Sequence, residues 1–191
     1  MKNSVIILGN NFKNSVSSLI DNNVDIFIVT SPSLPEEDSM ILESITKPCC
    51  GSTGGQEIIN GSVVKYKQNI YWVANDNLTS GVNDILNKLS GELTLICNGG
   101  AKLSQTLFEK NIDIFKEIAI GASYSDYYKD DKKMFLPYLH NMTLGEFPIY
   151  AMCVRTSFLQ ENDVEENLFK TLIKFMSKSV VKHIPQALYK A

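Results

Sequence analysis

The chain has 191 residues, 44% of them hydrophobic and 20% charged, with a net charge of −3. That length fits one domain able to bury about two-thirds of the surface its unfolded form exposes, so folding needs neither disulfides nor metal. No lysine or arginine run forms a basic stripe, which argues against nucleic acid as the main partner, because phosphate binding depends on clustered cations.

The start, Met1 to Gly9, offers a short apolar stretch before Asn10 and Asn11. It is too short for a signal peptide, and no stretch approaches membrane-spanning length. The expected location is the cytoplasm, with no membrane partner. The four cysteines agree with this. Cys49 and Cys50 are adjacent and cannot easily bridge each other, and Cys97 and Cys153 lie in apolar runs. No Cys-x-x-Cys or His-x-x-x-His spacing occurs, so neither a metal site nor a cofactor is expected, and buried free thiols are.

In chain order, Ser4–Leu8 is a short apolar run closed by Gly9-Asn10-Asn11 and reads as a buried strand. Val16, Leu19 and Ile20 then recur at helical spacing, and β-branched Val24–Thr30 reads as a second strand. Strand, helix and strand at these lengths make a parallel crossover unit. Pro35 followed by Glu36, Glu37 and Asp38 marks a helix start, with acids at the positive end of the helix dipole. Asn60-Gly61 is a hairpin signal between Glu57–Ile59 and Ser62–Tyr66, and Ile70–Ala74 is a further strand.

Val82, Ile85, Leu86 and Leu89 form a helical stripe. Leu93–Cys97 is a strand, Leu103, Leu107 and Phe108 carry a helix, and Glu117–Gly121 is another strand. Tyr124–Gly145 is polar and aromatic with little periodicity, and reads as a long loop of the kind that forms binding lids. Phe147–Phe158 resumes as strand, and Asp163–Val181 reads as a helix that is acidic at its start and lysine-rich at its end.

The expected fold is α/β: a mostly parallel three-layer sheet of strand-helix-strand units with an antiparallel hairpin insertion around 56–74, in one domain over 1–191. An internal echo at an offset of 88 sets Ile7–Asn10 against Leu95–Asn98 and Asn23–Phe27 against Asn111–Phe115. It leaves open two similar halves, 1–92 and 93–191. Shared strand-helix-strand patterning and abundant asparagine are the alternative source of the match.

In open α/β sheets, ligands bind where strands end and helix N-termini point. Three loops hold such positions: Gly9–Asn11, Cys50–Gly55 and Asn98–Gly100. In the middle loop glycines permit close approach to an anion while Ser52 and Thr53 add hydroxyl donors. It matches neither a Walker A nor a dinucleotide fingerprint, and a plain turn is the alternative. Arg155 interrupts an apolar strand, so it must find a partner, and a guanidinium suits bidentate capture of carboxylate or phosphate. The alternative is an edge charge or a salt bridge to Asp25 or Asp113. Those two aspartates could themselves form an acid pair, or serve as turn and capping residues. His183 falls at the end of the last predicted helix, where it needs no further role.

The expected function is binding of a small anionic or polar metabolite in a cleft at the carboxyl ends of the parallel strands, through Asn10, Ser52, Thr53, Asn98 and Arg155. A second reading is an acyl- or group-transferase or hydrolase in which Cys50, or a nearby hydroxyl, acts with His140. A third is a non-catalytic subunit whose Tyr124–Tyr138 segment docks a partner or a second copy of the chain.

Overall fold

The computed structural model describes residues 3–19, 23–46, 62–65, 69–104, 106–137 and 147–191. They form one ten-stranded sheet. Its strands are β1 (Asn3–Leu8), β2 (Val24–Thr30), β3 (Ser62–Lys65), β4 (Ile70–Ala74), β5 (Leu93–Asn98), β6 (Lys102–Leu103), β7 (Ile120–Lys129), β8 (Lys132–Met134), β9 (Ala151–Arg155) and β10 (Val180–Lys190). The helices are α1 (Lys13–Ser17), α2 (Glu36–Thr46), α3 (Leu78–Asn83), α4 (Leu107–Ile114), α5 (Thr156–Gln160) and α6 (Leu168–Met176). Strand order is β3-β4-β2-β1-β5-β9-β7-β10-β6, with β8 hydrogen-bonded to β7.

β1, β2, β4 and β5 are mutually parallel. β9 runs against both β5 and β7, which turns β7 and its parallel partner β10 back into the common direction. Six of the ten strands therefore share one direction, and the expected α/β fold with a mostly parallel sheet is the one formed. The antiparallel pair β3–β4 stands at one end of the sheet, where an antiparallel insertion was anticipated. The Asn60-Gly61 turn itself lies outside the described residues.

The central strands read as continuous apolar runs because they are covered on both faces. All seven residues of β2 are buried, as are Val5, Ile6 and Ile7 of β1 and Leu93–Cys97 of β5. Helix α3 packs on β2, α5 on β5 and β9, and α4 and α6 on β10. Among the described residues no helix is long and apolar enough to cross a membrane.

The C-terminal part departs from expectation in several places, of which three bear on the readings above. First, the segment read as a lid from Tyr124 is regular as far as Met134. β7 and β8 form a hairpin whose two-residue turn, Asp130-Asp131, has both residues left-handed (φ 48° and 60°). Tyr124 and Tyr127 are 1% and 2% exposed and belong to the core, Tyr128 is exposed, and Tyr138 lies outside the described residues.

Second, the long final helix is shorter. It is capped at Asn167, whose side chain accepts from the Lys170 N–H, and it ends at Met176. The β-branched pair Val180-Val181 then opens β10, which pairs in parallel with β7. Pro185 falls in β10 between Ile184 and Ala187, where the register shifts, a place that tolerates a residue without an N–H. His183 is thus a strand residue and not an exposed helix end.

Third, the echo places Val24–Phe27 of β2 opposite Ile112–Phe115, which the chain folds as the end of α4 and its cap. The second half of that match joins unlike elements.

The buried polar residues of β7 are met by groups from neighbouring elements. The Asp126 carboxylate, fully buried, accepts from the Leu136 N–H at 3.0 Å and meets His183 Nε2 at 2.8 Å, with Lys133 Nζ 3.4 Å away. The His183 ring stacks on Tyr124 at 4.8 Å, and the Tyr124 hydroxyl donates to Pro137 O at 2.8 Å. Removing the carboxylate would take away the buried partner of the Leu136 N–H and of His183 Nε2. Asp126→Ala is expected to cost roughly 2–4 kcal/mol, read as a fall in the urea midpoint against the wild-type chain. An unchanged midpoint would show that the network is dispensable.

Candidate functional site

The co-directional strands deliver their carboxyl ends to one edge of the sheet. Register fixes the level: Leu8 pairs with Val29 and with Asn98, and Thr30 with Ala74. Beyond β1 the chain turns through Gly9 (φ 79°), exposed Asn10 and Asn11 (φ 63°) before buried Phe12 starts the return. The Gly9 N–H donates to Val29 O at 2.9 Å, which holds the first loop against β2.

At the end of β5, the Gly99 N–H donates to Leu8 O at 2.6 Å. A Cβ at residue 99 would lie 1.9 Å from Asn10 O and 3.2 Å from Gly9 O. Only glycine permits this approach, so the β1 and β5 loops form one rim. Asn10 and Asn98, both singled out from the sequence, are thereby brought together.

The rim continues over β2 and β4. The Asn75 N–H donates to Thr30 O at 2.8 Å, and the Ser31 hydroxyl donates to Asp76 Oδ1 at 2.8 Å on the exposed side. The Thr30 hydroxyl accepts from Trp72 Nε1 at 2.9 Å. The Asn75 side chain accepts from the Asn77 N–H, and Asn77 caps α3 through the Ser80 N–H. Gly81 of α3 lies so near that a Cβ there would meet Val29 Cγ1 at 2.6 Å. On the other flank the Asn98 N–H donates to Tyr150 O at 2.8 Å. The half-buried Tyr150 ring stands edge-on to Tyr127 at 5.2 Å, and Tyr127 stacks on Tyr189 at 5.5 Å. Sequence reasoning missed Ser31, Asp76 and Tyr150. Ser31 follows β2 directly and Asp76 comes two residues after β4, which was the available signal.

Arg155 does not join this edge. It pairs with Leu93 at the start of β5, at the opposite end of the strands from Asn98. Its guanidinium donates to the carbonyls of Phe115 (2.7 Å), Glu117 (3.3 Å) and Ile120 (3.3 Å) and pairs with Glu92 at 3.2 Å. A cation closing the carbonyl end of α4 explains the half-buried charge without a ligand. Asp25 accepts from the Ser90 hydroxyl at 2.6 Å, while exposed Asp113 is ion-paired with Lys116 at 2.7 Å, a bond that lowers its pKa; the two aspartates are not a pair. Cys50, Ser52, Thr53 and His140 lie outside the described residues. Among the described residues no group of three or more His, Cys, Asp or Glu side chains could hold a metal ion.

No family model and no curated protein matches this chain. Solved structures do match. The S. aureus protein TarS, residues 1–349, superposes with a TM-score of 0.65 at 12% identity over all of this chain and 60% of its own. The same TarS fragment in complex with UDP gives 0.65 at 14% identity, and in complex with UDP-GlcNAc 0.61 at 13%. A Bacillus anthracis protein assigned as a glucose-1-phosphate thymidylyltransferase, in complex with a sucrose, gives 0.57 at 10% over 98% of this chain and 87% of its own. The likeness is one of fold. This chain spans about 60% of the length of the TarS fragment.

Two expectations test this geometry. Gly99→Ala should push the β1 and β5 loops apart and lower the melting temperature, whereas Gly100→Ala, with open space at its Cβ despite φ 87°, should leave the Asn10 contact intact. Comparing the Leu8–Asn11 amide shifts of the two variants by NMR decides it, and equal perturbation would refute the junction. Cys97 and Cys153 are buried, and burial pushes the Cys97 thiol up to about 12 and the Cys153 thiol higher still. The folded chain therefore holds these two protons more tightly than the unfolded one. Stability should fall as pH rises above the free-thiol pKa of about 8.5. Mass mapping after alkylation at pH 8 should find neither thiol modified until denaturant is added.

Proposed function

We propose that the chain binds a nucleoside diphosphate or its sugar conjugate along the edge where β1, β2, β4 and β5 end. Asn10, Ser31, Asp76 and Asn98 supply the polar contacts. The carrying observation is the glycine-built junction of Asn10 with Gly99, which gathers main-chain and amide groups at the carboxyl edge of a parallel sheet. Such edges are where open α/β sheets take up ligands. The fold neighbours solved with UDP and UDP-GlcNAc support nucleotide sugars as the first ligands to try. Ser52 and Thr53 belong to the proposal as hydroxyl donors of the glycine-rich loop at 51–55, on the strength of their sequence context.

Group transfer is the second reading. It is favoured by the likeness to a protein assigned as a thymidylyltransferase, and it keeps Cys50 and His140 as the sequence's candidates for nucleophile and base.

Ligand binding is tested by thermal shift and calorimetry with UDP, UDP-GlcNAc and inorganic phosphate. A ligand at a hundred times its dissociation constant stabilises by about 2.7 kcal/mol, which for a chain of this size raises the melting temperature by roughly 5–10 °C. The nucleotides should produce that shift, and Asn10→Ala combined with Asn98→Ala should abolish most of it. If neither nucleotide shifts the transition or releases heat at millimolar concentration, the reading falls. A shift from phosphate that is lost on replacing Ser52 and Thr53 with alanine would assign the anion to the 51–55 loop.

A further inference from the structure

Asn11 is a non-glycine residue held in the left-handed region (φ 63°), one residue after exposed Asn10 and two after Gly9, itself left-handed. Asparagine tolerates that conformation better than most residues, and here it is also held by a hydrogen bond. The support comes from another element. The Asn11 N–H donates to Asp38 Oδ2 at 2.8 Å, across 27 residues of sequence.

Asp38 sits in the first turn of α2, where the helix dipole favours a carboxylate, and it is only 2% exposed. A buried acid at that position would ordinarily serve its own helix. This one uses an oxygen to hold the neighbouring strand's loop. Asn10 is thus fixed from both sides, by Gly9 on Val29 before it and by Asn11 on Asp38 after it.

We propose that Asp38 is a positioning residue for the strand-end site. By clamping Asn11 it presents the Asn10 segment to the ligand in one conformation, without touching the ligand itself. The inference rests on the nucleotide reading above only for what is being presented. The clamp is a property of the free protein.

The hydrogen bond needs an acceptor and not a charge, which separates this role from an electrostatic one. Asp38→Asn retains a side-chain oxygen, and Asp38→Ala does not. Asn11→Gly makes the left-handed conformation easy without the clamp.

Binding of UDP by calorimetry should weaken about tenfold in Asp38→Ala, the scale of one lost hydrogen bond, and by less than about threefold in Asp38→Asn. Adding Asn11→Gly to Asp38→Ala should recover part of the affinity without restoring the bond. Amide exchange of Asn11 in the ligand-free chain is the companion measurement. Protection should be kept in Asp38→Asn and lost in Asp38→Ala.

If Asp38→Ala loses stability but binds UDP as the wild type does, the residue is structural only and the proposal is overturned. Equal losses of affinity in the Asn and Ala variants would overturn it in favour of a charge effect. If the wild type binds no UDP, the nucleotide reading fails. The exchange data then still decide the clamp, and wild-type-like protection in Asp38→Ala would refute it.

Discussion

The arrangement at the carboxyl edge hangs on one close approach, that of the β5 loop to the β1 loop at Gly99. The Gly99 N–H on Leu8 O and the missing side chain at 99 let two adjacent parallel strands end at the same height with their turns in contact. Once that junction is set, β2 and β4 fall into line through register, with Gly9 on Val29 and Asn75 on Thr30. Four strand ends then share one rim, and the helices that follow them start from it. Any larger residue at 99 would have to separate the loops, and with them the two asparagines.

The sheet is built in two manners. On the β1 side, strands are mainly apolar, with Ser4, Asp25, Thr30 and Thr94 as buried exceptions, and their parallel pairing needs helices to connect them. On the β7 side, antiparallel pairs adjoin the parallel pair β7–β10, and the interior admits Asp126, His183, Ser123 and Ser125. β9 is the strand at which one manner gives way to the other, since it opposes both of its neighbours. A fold set by burial pattern and strand order in this way tolerates nearly complete change of sequence. That is why chains 10–14% identical superpose over 98% or more of its length.

What the sequence made legible follows the same division. β1, β2, β4 and β5 announce themselves as short apolar runs between turn residues, and Asn10 and Asn98 stand out because glycines flank them. β7 was obscured because its buried polar residues break the apolar pattern. Their partners, His183 and the backbone at Leu136, are distant in sequence or lie across a turn. β10 was hidden behind the genuine stripe of Leu168, Leu172 and Phe175, which periodicity extends too far. Arg155 was recognised as a charge in need of partners, but carbonyl oxygens at the end of α4 carry no side-chain signature. Asp38 was legible only as a helix-start acid, since its bond to Asn11 depends on how α2 lies beside β1.

The chain also carries its own optical reporter. Trp72 is the sole tryptophan, 4% exposed on β4, and its indole N–H is bound to the hydroxyl of Thr30, the last residue of β2. All indole emission therefore originates two residues from Ala74, where β4 meets the rim, with one hydrogen bond linking the fluorophore to the neighbouring strand end. Any rearrangement of the β2 and β4 termini alters the polarity and bonding of a single emitter. The intensity and wavelength of its fluorescence need no deconvolution among several sites.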